Sequence, residues 1–304
     1  MGVTIKVGAN YSIDMSDFDY GVGDVGDTEI IGFTSSNITG YVGGYKVVIS
    51  GAGFTTDKYG YLSGGEVRGI QETYAGTSVF SITGLNLSVK SIAKVINTYS
   101  TADDIALVKS TLGGNDTIAG SNYTDVLTGY NGNDLLSAGK GNDTLSGGNG
   151  NDTLIGGHGT DKFFGGPGSD SFIYKSLSES TLASSGRDII FDFEGSNGDR
   201  IDLSAIDANT KVAGNQVFNF IATKAFSGKA GELRYDKKTS DTFIYADVNG
   251  DKRPISLSIW TTLLRSKRAI SYSELWISKN AQRLASAGLF MSRLRIHLAA
   301  MSPQ

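Results

Sequence analysis

The chain has 304 residues, with 41 glycines, 3 prolines, no cysteine and a formal net charge of −4. That length accommodates two or three domains, and the missing cysteines exclude a disulfide framework and a thiol nucleophile. No apolar run approaches the about eighteen residues that a membrane-crossing helix needs, and the acidic balance argues against nucleic acid as a partner.

Residues 1–110 read as an amino-terminal β-rich module. Residues 3–7, 45–49 and 79–82 alternate, or run in β-branched residues, between glycine turns, which is the pattern of strands. The first seven residues lack a charged segment followed by a long apolar run, so no cleavable leader is expected. Asp14, Asp17, Asp19, Asp24, Asp27 and Glu29 crowd one stretch. Either a further cation site or a solvated loop accounts for them, and their spacing fits no known ligand loop. From Leu87 to Lys109 the texture changes. Val89, Ile92, Ala93, Val95 and Ile96 fall at helical spacing, and Ile105, Leu107 and Val108 less clearly so, which predicts one or two helices leading onward.

Over residues 111–173 an aspartate recurs every nine positions: Asp116, Asp125, Asp134, Asp143, Asp152, Asp161 and Asp170. Two places after each stands an apolar residue (Ile118, Leu127, Leu136, Leu145, Leu154, Phe163, Phe172). Two places before most stands a glycine (Gly114, Gly132, Gly141, Gly150, Gly159, Gly168), with Tyr123 in that slot of the second repeat. A fixed short period decides architecture before propensity does. The apolar position makes one short strand per repeat, and half a coil per repeat sends successive strands to alternate walls. Ile118, Leu136, Leu154 and Phe172 then stack on one wall, and Leu127, Leu145 and Phe163 on the other. A flexible Gly/Asn/Asp linker would need no apolar residue at a fixed place. The aspartates supply hard anionic oxygens, and the glycines let carbonyls turn inward to complete the six to eight oxygens that calcium takes. Loops two repeats apart are neighbours. The pairs Asp116–Asp134, Asp125–Asp143, Asp134–Asp152, Asp143–Asp161 and Asp152–Asp170, with the carbonyls of Gly132, Gly141, Gly150, Gly159 and Gly168, predict sites for up to about five Ca2+ ions. Without metal, carboxylates brought so close resist ionisation, so binding energy becomes folding energy.

The run Gly147-Gly148-Asn149-Gly150-Asn151-Asp152-Thr153-Leu154-Ile155 resembles the glycine-rich calcium-binding nonapeptide of RTX, or hemolysin-type, secreted proteins. The resemblance implies a parallel β-roll with calcium held in its loops, type I secretion in an unfolded state, and folding in the calcium-rich extracellular medium. Residues 188–193 and 199–204 resemble the segment that closes such rolls in serralysin-type proteins, as do residues 231–235 and 245–251. That implies a β-rich cap with further calcium, for which Asp192 and Asp199 are the ligands carried over by position. A polar cap is what a solenoid needs over its last open edge. Asp247-Val248-Asn249-Gly250-Asp251 hints at an EF-hand, but Lys252 and Ser258 stand where glycine and glutamate must be, so a hairpin turn is expected.

Two histidines, His158 and His297, are too few and too far apart for a zinc-protease helix, and no Gly-x-Ser-x-Gly elbow occurs. The tail holds seven basic residues against Glu274 alone, with Leu284, Ala287, Met291, Leu294 and Leu298 on one helical face. It reads either as an export or membrane-surface segment or as an unselected extension.

The sequence thus predicts a mainly β protein: an amino-terminal module (1–110), a parallel β-roll of seven nonapeptide repeats (111–173), a β-rich cap (174–259) and a basic tail, helical or disordered (260–304). The expected function is that of a secreted, extracellular, non-enzymatic calcium-binding or host-interaction protein. An extracellular polysaccharide-acting enzyme and a surface adhesin are the alternatives. The expected partners are calcium, a type I secretion transporter, and an extracellular polysaccharide or host surface.

Overall fold

The computed structural model describes residues 2–9, 15, 28–42, 44–58, 62–96, 101–194, 197–238 and 241–262. Asp14, Asp17, Asp19, Asp24 and Asp27 of the acidic run, and the tail from residue 263, lie outside them. The described residues form two compact units, which divide between Ala119 and Gly120.

The first unit contains β1 (Thr4–Val7), β2 (Thr28–Phe33), β3 (Asn37–Val42), β4 (Tyr45–Thr56), β5 (Leu62–Tyr74), β6 (Thr77–Ser88), α1 (Val89–Ile96), α2 (Thr101–Thr111) and β7 (Thr117–Ala119). Strands β2 to β6 form an antiparallel meander. The β5–β6 hairpin closes through Ala75 and Gly76, with φ of 48° and 80°, the paired left-handed conformations that a tight turn between twisted strands requires. β1 pairs antiparallel with β6 and parallel with β7. Cross-strand register then lines up Ile38, Ile49, Ile70, Ile82, Ile5 and Ile118 in one row across six strands. β-branched side chains pack well on such a pleated face, and each fully buried isoleucine contributes about 1.5–3 kcal/mol. The Ser88 hydroxyl caps α1 by accepting the N–H of Ser91 at 3.0 Å. α1 falls within the stretch Leu87–Lys109 where helical spacing predicted helices, and α2 runs two residues beyond it, to Thr111.

The second unit carries the rest of the repeats. Its strands are β8 (Val126–Asn131), β9 (Leu135–Lys140), β10 (Thr144–Asn149), β11 (Thr153–His158), β12 (Lys162–Phe164), β13 (Ser171–Ile173), β14 (Ile189–Ile190), β15 (Arg200–Asp202), β16 (Asn219–Phe220), β17 (Glu232–Lys237), β18 (Asp241–Asp247) and β19 (Ile255–Thr262). One wall runs β9, β11, β13, β15 in parallel and stacks Leu136, Leu154, Phe172 and Ile201. The other runs β8, β10, β12, β14 and stacks Leu127, Leu145, Phe163 and Ile190. These leucines and phenylalanines are at most 1% exposed, so the predicted apolar rows are the core of a parallel β-roll. The strands of β8 to β11 run six residues rather than the predicted short stretch, because the glycine pairs stay in register, as in Gly157 opposite Gly139. The core swells towards the carboxyl end, where Phe163 and Phe172 meet edge to face at 5.8 Å.

The cap segment does two things. β14 and β15 lengthen both walls by a further rung. β17, β18 and β19 then turn antiparallel and β19 joins β14, continuing that wall into a β-rich end. The Asp247 carboxylate accepts N–H groups from Gly250 and Lys252 at 2.7 and 3.0 Å, which shapes the hairpin turn between β18 and β19.

Candidate metal centre

The repeat aspartates of the roll are withdrawn from solvent, with Asp125, Asp161 and Asp170 at 0% exposure and Asp134, Asp143 and Asp152 at 1–2%. A carboxylate so buried must be bonded or neutralised. One bond comes from the next coil. The N–H of Asp125 donates to Oδ1 of Asp143, and Asp134 to Asp152, Asp143 to Asp161, and Asp152 to Asp170, each at 2.8–2.9 Å. The loops two repeats apart are therefore neighbours, joined side chain to backbone. In the first unit Asp116 does the same with β1, its Oδ1 accepting the N–H of Val3. A second series runs the other way. Asn133 Oδ1 accepts from the N–H of Asn151, Asn142 from Thr160 and Asn151 from Ser169, so each loop is tied both up and down.

The aspartate series does not stop with the repeats. Asp161 donates to Oδ1 of Asp188 at 2.8 Å and Asp170 to Oδ1 of Asp199 at 2.9 Å. Asp188 is absent from the residues predicted as ligands, although two signals mark it. It keeps the nine-residue phase of the repeats, with Glu179 one step before it, and Asp188-Ile189-Ile190 repeats the aspartate-then-apolar spelling. Asp192, which was predicted, stands apart from the series: its two oxygens accept the N–H groups of Gly165 and Gly166, both at 2.9 Å. Asp199 is in the series, but its Oδ2 also accepts the N–H of Glu194 at 2.8 Å.

Oδ2 of Asp143, Asp152, Asp161 and Asp170 is buried and has no hydrogen-bond donor among the described residues, whereas Asp188 faces the buried Tyr174 hydroxyl. Buried oxygens repeated in a regular column offer a place for a cation. Glycine makes the room for them. A Cβ at Gly147, Gly156 or Gly165 would fall 2.2–2.4 Å from Oδ2 of Asp152, Asp161 or Asp170. The loop glycines Gly132, Gly141, Gly150, Gly159 and Gly168 have φ between 121° and 156°, and a Cβ at Gly150, Gly159 or Gly168 would overlap the carbonyl oxygen of Gly132, Gly141 or Gly150. Backbone carbonyls of one coil thus sit directly beneath the glycines of the next.

Burial drives the electrostatics. Desolvation raises the carboxyls of Asp143 to about 8, Asp161 to about 6, Asp170 to about 7 and Asp188 to about 9, against an ordinary value of 3.8. It also raises Asp116, Asp152 and Asp192. The backbone N–H donors oppose the shift but do not cancel it. A bound cation would reverse it by stabilising the anions. Among the described residues no three acidic or histidine side chains converge on one point, so carbonyls must supply most of any shell. Oxygen-only donors, glycine-permitted carbonyls and one or two carboxylates per loop pair fit calcium.

The two-walled coil and its aspartate series define an RTX-type β-roll, a class of repeat that generally binds calcium. The chain belongs to the peptidase M10 serralysin C terminal family, whose profile matches residues 96–264, more than half of the sequence. That region is a non-catalytic repeat region. Among solved structures the chain is similar to the AlgE6R2 subunit of the Azotobacter vinelandii mannuronan C5-epimerase, at 22% identity over 48% of this chain and 83% of that one, with a TM-score of 0.26. It is also similar to the AlgE6R3 subunit of the same enzyme, at 25% identity over 49% and 71%, with a TM-score of 0.20. Likenesses this loose carry no argument about function. No curated protein matches the chain.

Proposed function

We propose that this is a secreted calcium-binding protein whose roll folds on extracellular calcium and serves a non-enzymatic binding or host-interaction role. The observation that carries the reading is the column of buried, donorless Oδ2 atoms on Asp143, Asp152, Asp161 and Asp170, continued by Asp188. Those residues, with Asp116, Asp125, Asp134 and the carbonyls of Gly132, Gly141, Gly150, Gly159 and Gly168, would hold the ions, on the order of five along the roll. When bound, calcium supplies the positive charge that lets the carboxyls ionise inside the coil. The chain supplies the stacked loops and the dry core that fix them. Export by a type I transporter suits a fold that is marginal until calcium is abundant, because the chain then crosses unfolded. Asp192 and Asp199, held by amide donors, are kept as secondary ligands of the cap.

Far-ultraviolet circular dichroism of the full chain, titrated with calcium and separately with magnesium, tests the reading. Calcium at millimolar concentration is expected to raise the β signal, while magnesium, which demands tight octahedral geometry, leaves it unchanged. A spectrum indifferent to calcium would remove the proposal.

A further inference from the structure

The loop of the second repeat departs from the others. Asp125 is fully buried like its counterparts, but its Oδ2 accepts both the N–H of Ser121 at 2.7 Å and the Ser121 hydroxyl at 2.9 Å. The same hydroxyl accepts the N–H of Tyr123 at 3.0 Å. In later repeats the position of Ser121 is Tyr130, Gly139, Gly148, Gly157 or Gly166, all with φ between 71° and 115°. The position of Tyr123 is Gly132, Gly141, Gly150, Gly159 or Gly168, again left-handed. Neither Ser121 nor Tyr123 has a positive φ. This loop has therefore a different backbone path, and its carboxylate is met by protein donors where Asp143, Asp152, Asp161 and Asp170 leave Oδ2 bare.

We propose that the Ser121–Asp125 clasp replaces a calcium ion, making the second repeat a metal-free rung on which the calcium-dependent coils are built. The proposal rests on the calcium reading of the roll and revises it at one position, withdrawing Asp125 from the residues that would hold an ion. Two hydrogen bonds to a buried carboxylate do the work that a cation does elsewhere, since donors to the charged form stabilise it. A hydroxyl is neutral and always present, so this rung holds its shape at any calcium concentration. It gives the coil a fixed starting edge for each ion that follows, because each repeat of such an array is stabilised through the interface with its neighbour. The serine is thus a specificity-determining residue: it decides which loop of the series is silent towards calcium.

The test uses the full chain and Ser121→Gly, which installs the residue that later repeats carry and so suits the fold. Calcium stoichiometry is measured by equilibrium binding, and amide hydrogen exchange is followed by mass spectrometry in chelator. The variant is expected to bind one more ion per chain than the parent. In chelator the parent is expected to protect the amides of Ser121 and Tyr123 at least tenfold better than those of Gly148 and Gly150, with that protection lost in the variant. Equal, non-zero stoichiometry in the two chains overturns the inference alone, as does a Ser121 amide that exchanges in chelator as fast as Gly148. No calcium bound by either chain overturns the calcium reading and this inference with it. Ser121→Thr, which keeps a hydroxyl, is expected to retain the parent stoichiometry, and a gain of an ion there also counts against the clasp.

Discussion

Replacing Gly159 by alanine strikes the carbonyl stack itself. Gly159 has φ of 151°, and a Cβ there would overlap the Gly141 carbonyl oxygen, where ordinary contact begins near 3.4 Å. Both groups are backbone, so no side chain can swing aside and the two coils must separate locally. Separation breaks the bond from Gly141 N–H to His158 O and that from Asp143 N–H to Asp161 Oδ1, both 2.9 Å. A left-handed alanine costs about 1–3 kcal/mol, a neutral hydrogen bond about 0.5–1.5 and one to a charged group about 1.5–3, so the loss is roughly 3–7 kcal/mol. A hundredfold excess of ligand over Kd restores only about 2.7 kcal/mol per site. Gly214→Ala is the control. Its φ is 100°, yet its nearest neighbour is the end of the Gln216 side chain at 3.5 Å, so only backbone strain applies. In calcium titrations followed by circular dichroism, G159A is expected to need at least a hundredfold more calcium than the parent, or to show no transition. G214A, which carries backbone strain alone, is expected to shift its midpoint at least tenfold less than G159A does. Coincident midpoints for the two variants would refute the stacked-carbonyl account.

Other expectations follow from the same geometry. Asp152→Ala removes a residue bonded to the coils on both sides, through Asp134 and Asp170, and is expected to weaken cooperative calcium binding more than Asp116→Ala does; equal titration midpoints would contradict this. Burial holds Asp143 at about 8 and Asp188 at about 9, so calcium must displace protons at pH 7. Binding is expected to release protons and to weaken as pH falls from 8 to 6, measurable with an indicator dye. For the calcium-free fold the sign reverses. A carboxyl with a folded pKa above its unfolded value supports the fold below about 4 and withdraws that support as pH climbs to about 8, so denaturant midpoints in chelator are expected to fall over that window. A chain ending at Ser258 is expected to reach the medium no less than the full chain in a host carrying a type I transporter; secretion lost on truncation would assign the export signal to the removed residues.

The repeats were legible because their physics is local and periodic. A spacing of nine assigns each apolar side chain to a wall without any knowledge of distant partners, and the rows of Leu127, Leu145 and Phe163 and of Leu136, Leu154 and Phe172 followed from counting alone. What stayed hidden was non-local or irregular. That Val3 would donate to Asp116 depends on a strand more than a hundred residues away in sequence, and no pattern near residue 3 announces it. Asp188 sits three repeat lengths past Asp161 behind an irregular stretch that hides the period, and the family resemblance points to Asp192 instead. Tyr123 marked the second repeat as a departure, but the part played by Ser121 lies in a hydrogen bond to Asp125 that residue spacing does not announce.

Aspartate partners are eighteen residues apart within the repeats, but 27 from Asp161 to Asp188 and 29 from Asp170 to Asp199, while the bonds stay at 2.8–2.9 Å. The coil measures itself at its corners and is indifferent to how far the chain wanders between them. Closing a longer excursion adds little, because loop entropy grows only as the logarithm of length. The stretch near Leu182, 37% exposed, is thus a natural port where sequence can be added without shifting the phase of anything downstream. A scaffold of this kind can change what it displays while leaving untouched the corners that answer to the ion.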